Sequence, residues 1–343
     1  MNARVYGNPE FRIGERHVGP GHACYVIAEA GSNHNRDLAT ALRLIEVAAE
    51  AGADAVKFQT YTAEGMYSDL DPAWRKVKQA EIPWEWHPQL ARHATQLGIT
   101  VFSSPFEERA VDVLEAAGTP AYKIASYEIN HLPLIRYAAH TGKPLLISTG
   151  MASLGDIERA LDAAADAGGR DLLLMHCVAT APPSFDELNL RAIGTLRDAF
   201  QLPIGWSDHT LGHTADVVAV SLGACAVEKH FTLSRQQDGP DHPFALEPHE
   251  LQAMVVAIRQ AEAALGSTVK RMTDDATDEY RRGRRSLMAA RDVAAGRVIV
   301  RDDVAVKRPG SGIAVYHLDQ VVGSRAARDL ARDQSLRWDD LIH

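Results

Sequence analysis

A chain of 343 residues, 46% hydrophobic and 24% charged, has an ordinary globular composition and the length for one large α/β domain plus a small one. Its 36 basic against 45 acidic residues give a net charge of −9, which argues against a nucleic-acid partner and an anionic membrane surface. No run approaches the roughly 20 apolar residues of a membrane span and no basic-then-apolar leader opens the chain, so a cytoplasmic location is the expectation.

In chain order, Phe11 to Cys24 reads as a short hairpin: Phe11, Ile13 and Val18 alternate with polar residues, and Gly19-Pro20-Gly21 breaks the run. Such a hairpin suits the bottom of a barrel. A repeated unit follows, in which an amphipathic helical pattern ends in Gly and a short apolar run begins. The first helix carries Leu38, Leu42, Ile45 and Ala49 at helical spacing, then Gly52 at the cap. Eight strands are predicted: Tyr25–Ala30, Ala55–Thr60, Thr100–Ser104, Tyr122–Ser126, Leu145–Thr149, Leu172–Val178, Pro203–Ser207 and Ala226–Thr232. Near-continuous apolar strands separated by helices are buried on both faces, and eight of them predict an α/β fold of the (β/α)8 TIM-barrel type. An open doubly wound sheet is the alternative, but no Gly-rich dinucleotide loop follows the first strand.

The insertion from Thr62 to Pro88 holds Trp74, Trp84 and Trp86 and is long enough for a lid or packing arm. Residues 1–265 thus form the barrel domain, 266–282 a polar linker, and 283–343 a small β-rich domain with short runs at Ser286–Ala290 and Val298–Val300. Cys24, Cys177 and Cys225 show no metal-ligand spacing and read as buried, reduced thiols; Cys177, beside His176, is the one with a catalytic alternative.

Active sites of such barrels are built at the carboxyl ends of the strands, and here those ends are unusually polar. Lys57 and Lys123, on strands two and four, are placed to converge on one anion, with Ser126, Ser148 and Ser207 as neutral donors; the alternative is that each lysine pairs with an acid such as Glu29 or Glu228. Glu29 and Glu228 are candidate general acid/base groups or salt-bridge partners only. His209 and His230, 21 residues apart, end adjacent strands and either hold a divalent metal or cap the strands.

The strings IAEAGSNHN (27–35), VKFQTY (56–61), YKIAS (122–126), ISTGM (147–151), WSDHT (206–210), VEKHFT (227–232) and GPDH (239–242) closely resemble the sialic acid synthase family, which includes the legionaminic and pseudaminic acid synthases. The tail, with VKRPGSGI at 306–313, resembles that family's C-terminal antifreeze-like (SAF) domain. The resemblance implies condensation of phosphoenolpyruvate with an N-acylated hexose, giving a nine-carbon 2-keto acid and phosphate, with Mn²⁺ or Mg²⁺ as cofactor. It assigns His209 and His230 to the metal, Lys57, Lys123, Ser126, Ser148 and Ser207 to phosphoenolpyruvate, Gln59 and Asp241 to the sugar, and Glu29 and Glu228 to proton transfer. It further implies a domain-swapped homodimer in which Arg308 reaches the partner's barrel and contacts the acyl group.

The pattern breaks after strand six. Ala179 and Ala181 stand where a polar contact to the enol phosphate and a sugar-facing tyrosine are expected. That change bears on the acceptor sugar, and it motivates two rivals: a catalytically silent sugar-binding relative and a pseudaminic-type synthase with an unusual acceptor. GPDH at 239–242 favours the sialic and legionaminic branch. A metal-dependent barrel hydrolase, resting on His209, His230 and Glu228 alone, lacks the early His-x-His such enzymes use.

Overall fold

In the computed structural model, which describes residues 6–272 and 277–342, the chain divides into two compact units, Met1–Gly266 and Ser267–His343. The first opens with the antiparallel hairpin β1 (Phe11–Ile13) and β2 (Arg16–Val18). Eight parallel strands follow: β3 (Tyr25–Gly31), β4 (Ala55–Thr60), β5 (Thr100–Pro105), β6 (Tyr122–Ile124), β7 (Leu145–Ser148), β8 (Leu172–Cys177), β9 (Ile204–Asp208) and β10 (Ala226–His230). They close into a barrel because β10 pairs with β3, which eliminates the open sheet.

Seven of the eight strands shift by one or two residues from the sequence reading, and in three of them the chain shows where the change arises. Ser126 lies beyond β6 and opens a single 3-10 turn, Ser126–Glu128. Proline has no N–H to give, and β9 starts at Ile204, after Pro203. Phe231 N–H still donates to the Glu29 carbonyl at 3.0 Å, and the backbone then leaves the barrel ladder: Thr232 N–H donates to the Leu246 carbonyl at 2.9 Å.

Side chains alternate across a strand, and that period of two divides the barrel into three apolar clusters. Val26, Ala28, Val56 and Phe58 face outward onto the helices Leu38–Glu50 and Pro248–Leu265, and Tyr122, Ile124, Leu145, Ile147, Leu174 and Trp206 face those on the other side. The inward set at the strand beginnings is Tyr25, Ile27, Ala55, Phe102, Ala121, Leu146, Leu173, Met175 and Ala226. Phe11, Ile13 and Val18 of the hairpin pack into this same cluster and close the barrel floor.

Helix ends follow the glycine punctuation, as at Gly98, whose φ of +70° is the left-handed conformation that caps His87–Leu97. The insertion after β4 forms two short helices, Ala63–Met66 and Pro72–Ala80, and the turn Trp84–Trp86. Pro72–Ala80 buries none of its residues.

In the second unit, Thr277–Gly283 is a short exposed helix that spans the end of the stretch read as linker, while 273–276 lie outside the described residues. Two-stranded pairings join β11 (Ser286–Ala289) with β12 (Val304–Lys307), and β13 (Arg325–Ala326) with β14 (Leu341–Ile342). Val298–Val300, expected as a strand, makes only an isolated bridge from Val298 to Arg325 before the turn Arg301–Asp303. The buried carboxylate of Asp303 explains the break: it accepts from Val300 N–H at 3.0 Å and is gripped by Arg291 at 2.6 Å. Capping that turn takes precedence over continuing the ladder.

Candidate active site

Two residues beyond each apolar position of the floor, the inward face turns polar. Ile27 is followed by Glu29, Ala55 by Lys57 and Gln59, Phe102 by Ser104, Ala121 by Lys123, Leu146 by Ser148, Met175 by Cys177, and Ala226 by Glu228 and His230. Seven of the eight strands thus deliver these groups to one mouth, and β9 adds Ser207 after Gly205.

Lys57 Nζ lies 2.8 Å from Glu29 Oε2 and 3.8 Å from Glu228 Oε1, and donates to Ser104 Oγ at 3.0 Å. Lys123 Nζ donates to both Glu228 oxygens at 2.8 Å, and Ser207 Oγ donates to Oε1 at 3.1 Å. Gln59 Nε2 donates to Glu29 Oε1 at 3.0 Å. Both expectations for the lysines therefore hold at once: they converge, and each is paired with an acid.

The two carboxyls are driven apart by their surroundings. Burial pushes Glu29 up to about 7, more than its single close lysine offsets. Burial acts on Glu228 in the same direction, but Lys123 and Lys57 together outweigh it and hold that carboxyl down at about 2. Glu228 is ionised throughout the physiological range, whereas Glu29 exchanges its proton near neutrality. With Glu29 protonated, two lysines face one carboxylate, so the mouth is cationic inside a chain that is acidic overall.

The hydroxyls complete the wall. Ser126 Oγ accepts from Gly150 N–H at 3.1 Å, and Ser148 Oγ is buried without a hydrogen-bond partner. A Cβ at Gly150 would come within 2.9 Å of Ser126 Oγ, 3.1 Å of Cys177 Sγ and 3.2 Å of the Ala179 nitrogen. The missing side chain lets these three approach one another.

On the next strands the rings of His209 and His230 face each other at 5.2 Å between centroids. His209 Nδ1 lies 3.0 Å from the Val178 carbonyl, which fixes a proton on that nitrogen. Burial lowers the proton affinity of this ring, but Cys177 and the Val178 carbonyl outweigh it and raise the imidazole above its ordinary range. His230 is held neutral to about pH 4, chiefly by burial; its Nδ1 has no hydrogen-bond partner and lies 3.8 Å from Asp241 Oδ2. Asp241 in turn accepts from Ser32 Oγ at 3.2 Å and occupies space that only a glycine leaves: a Cβ at Gly31, where φ is +50°, would meet Asp241 Oδ2 at 2.8 Å. The two imidazoles, each with a hydrogen-bonding or charged neighbour at Nδ1, form a donor set that fits a divalent ion.

The residues between these inward ones face the other way. Lys229 Nζ is 2.5 Å from Asp208 Oδ2, 2.6 Å from the Thr210 carbonyl and 3.8 Å from Asp216, all buried on the outer face of β9 and β10. This cross-strand pair ties Asp208–His209 to Lys229–His230.

A family model described as the NeuB family matches residues 44–270, two thirds of the chain, and one described as the SAF domain matches 284–342. The chain belongs to the NeuB family. Among NeuB relatives, the N,N'-diacetyllegionaminic acid synthase of Legionella pneumophila is 38% identical, over 94% of this chain and 96% of its own. The pseudaminic acid synthase of Campylobacter jejuni is 35% identical, over 92% and 96%. The solved N-acetylneuraminic acid synthetase of Leptospira borgpetersenii superposes with a TM-score of 0.75 at 34% identity, covering 79% of this chain and 94% of that one. This NeuB chain is accordingly an enzyme, a transferase of the sugar-acid synthase type, and its C-terminal unit carries a SAF domain.

Of the residues singled out in the sequence, Glu29, Lys57, Gln59, Lys123, Ser207 and Glu228 form one connected network, with Ser126 and Ser148 on its wall and His209, His230 and Asp241 beside it. Arg308 is exposed in the second unit. Sequence reading passed over Gly31, Gly150, Cys177 as a wall residue, and the Val178 carbonyl. The glycines lay within the quoted motifs, AGS and STG, but a position needed for its emptiness gives no chemical signal.

Proposed function

We propose that the mouth catalyses condensation of phosphoenolpyruvate with an N-acylated hexose resembling N-acetylmannosamine, giving a nine-carbon 2-keto sugar acid of the sialic or legionaminic type plus phosphate. The observation that carries this reading is a buried, hydroxyl-lined mouth in which Lys57 and Lys123 converge on Glu228, beside the facing imidazoles of His209 and His230.

Lys57 and Lys123 neutralise the carboxylate and phosphate of the enol phosphate, and Ser126, Ser148 and Ser207 donate to its oxygens. Held by His209 and His230, a divalent ion supplies Lewis acidity toward the aldehyde oxygen; the imidazole donors suit Mn²⁺ better than Mg²⁺. Carbon 3 of the enol phosphate forms the new bond to the aldehyde carbon, and the aldehyde oxygen takes the proton from Glu29. Positive character at carbon 2 is balanced by ionised Glu228. Water adds there and returns a proton to the Glu29 carboxylate. The bond from carbon 2 to the phosphate oxygen then breaks, the hydroxyl proton leaves with phosphate, and the ketone forms. Gln59 orients Glu29 and reaches the sugar.

Asp241 has two roles in this reading, as a sugar contact and as the carboxylate toward which His230 Nδ1–H is aimed. A homodimer is part of the proposal. Tyr127, Met151, Phe185 and Leu211, on the loops after β6, β7, β8 and β9, are each more than half exposed, an apolar rim that a partner's C-terminal unit bearing Arg308 would cover. Arg308→Ala should then raise the Michaelis constant for the sugar and leave that for phosphoenolpyruvate unchanged.

The test is phosphate release from phosphoenolpyruvate with Mn²⁺ and a panel of N-acetylmannosamine, its 6-phosphate and di-acetamido dideoxy hexoses. Release that needs both the metal and one sugar is the expected result. Metal-independent sugar binding with no release across the panel would favour the silent relative suggested by Ala179 and Ala181.

A further inference from the structure

The barrel floor carries a second pair of imidazoles that the reaction does not use. The pleat of the hairpin buries Phe11, Ile13 and Val18 and leaves Glu10, Arg12 and His17 in solvent, with His17 opposite Arg12 in the register. The chain then reverses. Gly19 has φ of +146°, and a Cβ there would meet the Glu10 Cβ at 2.8 Å and the Pro9 carbonyl at 2.9 Å, so only glycine lets the return strand lie this close. The reversal brings His22 back over His17, with ring centroids 5.0 Å apart and planes 20° from parallel, and sets His22 Nε2 2.8 Å from Glu10 Oε2.

The ligand atoms of Glu10, His17 and His22 all lie within 4.8 Å of one another, and among the described residues no other three His, Cys, Asp or Glu side chains come so near. A tetrahedral ion with bonds of about 2.0–2.1 Å needs its ligands about 3.3 Å apart, a difference that rotation of exposed side chains covers. We propose that this trio is a binding site for a borderline divalent cation of the Zn²⁺ class, held by two imidazoles and one carboxylate with water in the remaining position. Two nitrogen ligands select Zn²⁺, Ni²⁺ or Cu²⁺ over Mg²⁺ or Ca²⁺.

Arg12 works against the cation, since its Nε donates to His17 Nε2 at 2.9 Å. The ion must displace that guanidinium or take the other ring nitrogen. The ligands come from before β1, from β2 and from beyond the turn, so a bound ion cross-links the plug that closes the floor. It stabilises the folded chain in proportion to occupancy.

The test is Zn²⁺ titration of the full chain by calorimetry, with thermal melting in the same buffer. His209 and His230 also offer nitrogen ligands, so the wild type should take up two ions per chain. His17→Ala/His22→Ala should lose one equivalent and its share of the Zn²⁺-dependent rise in melting temperature, with synthase turnover unchanged. His209→Ala/His230→Ala should keep the hairpin equivalent. Glu10→Gln, which preserves shape, should weaken it about tenfold or more, and Arg12→Ala should tighten it. Equal stoichiometry and affinity in the wild type and the His17/His22 double variant would overturn the proposal, as would a Glu10→Gln variant that binds like the wild type.

Discussion

Strands β9 and β10 carry buried lysine–carboxylate clusters on both faces, and the two are built to opposite ends. Inside the barrel, Glu228 pairs with Lys123, with Lys57 3.8 Å away and Glu29 beyond it. Outside, one residue along, Lys229 pairs with Asp208 and is held by the Thr210 carbonyl and hydroxyl. The outer cluster includes a second acid, Asp216, whose carboxyl is pushed well above its ordinary range by burial and by Asp208, so its charges cancel. The inner cluster has a second lysine, a serine hydroxyl without a partner and an acid that titrates near neutrality, so its balance of charge turns on that one proton. A buried ion pair is weak testimony for either stability or function. What separates these two is whether the charges balance and whether donors are left over.

The sharpest way to break that comparison is to remove one lysine from each face. Lys123→Met should lower kcat/KM for phosphoenolpyruvate by roughly 10³-fold or more, because it leaves Glu228 with only the more distant Lys57 where the anion must bind. Lys229→Met should act on stability instead, costing about 3–5 kcal/mol of unfolding free energy in a denaturant titration. If both variants lost activity at unchanged stability, the division into a working and a holding face would be wrong.

Replacement of Glu29 by Gln comes next, with an expected loss of roughly 10²–10⁴-fold in kcat, the range of a single general acid/base group. The pH dependence sharpens it. Glu29 must start protonated, and its carboxyl sits at about 7, so turnover should be level below that and fall as pH rises through it. The stability contributions of the two acids run in opposite directions. Glu29, raised from 4.5, favours the folded state at low pH and loses that contribution as pH climbs from 4.5 to about 7. Glu228, lowered from 4.5 to about 2, contributes above 4.5 and loses it as pH falls toward 2. A turnover profile that rises through pH 7 would identify Glu29 as a base in the rate-limiting step.

A smaller effect is expected at Asp241→Asn. If the carboxylate orients His230, Mn²⁺ should bind about 10–100-fold more weakly with no substrate present, as read by the free-ion signal in electron paramagnetic resonance. An unchanged Mn²⁺ affinity with a raised Michaelis constant for the sugar would confine Asp241 to substrate contact.

The barrel was legible because period-two burial and helix-ending glycines repeat along the first 260 residues or so. The polar strand ends were legible as well, since Lys57, Lys123 and Glu228 interrupt otherwise apolar runs. Pairing was not: nothing in the string decides whether Lys57 faces Glu29 or an empty pocket, because that depends on the closed register Glu29↔Lys57 and His230↔Glu29. Val298–Val300 misled for the opposite reason. Its alternation is that of a strand, but the buried Asp303 that caps the next turn lies outside the pattern.

The most direct test of the central claim follows oxygen. Phosphoenolpyruvate carrying ¹⁸O in the bridging position should, with Mn²⁺ and an accepted N-acyl hexose, deliver that label to the released phosphate, because water enters at carbon 2 and the carbon–oxygen bond breaks. Label retained in the keto acid, with solvent oxygen in the phosphate, would mean cleavage at phosphorus and would contradict the condensation assigned to this mouth.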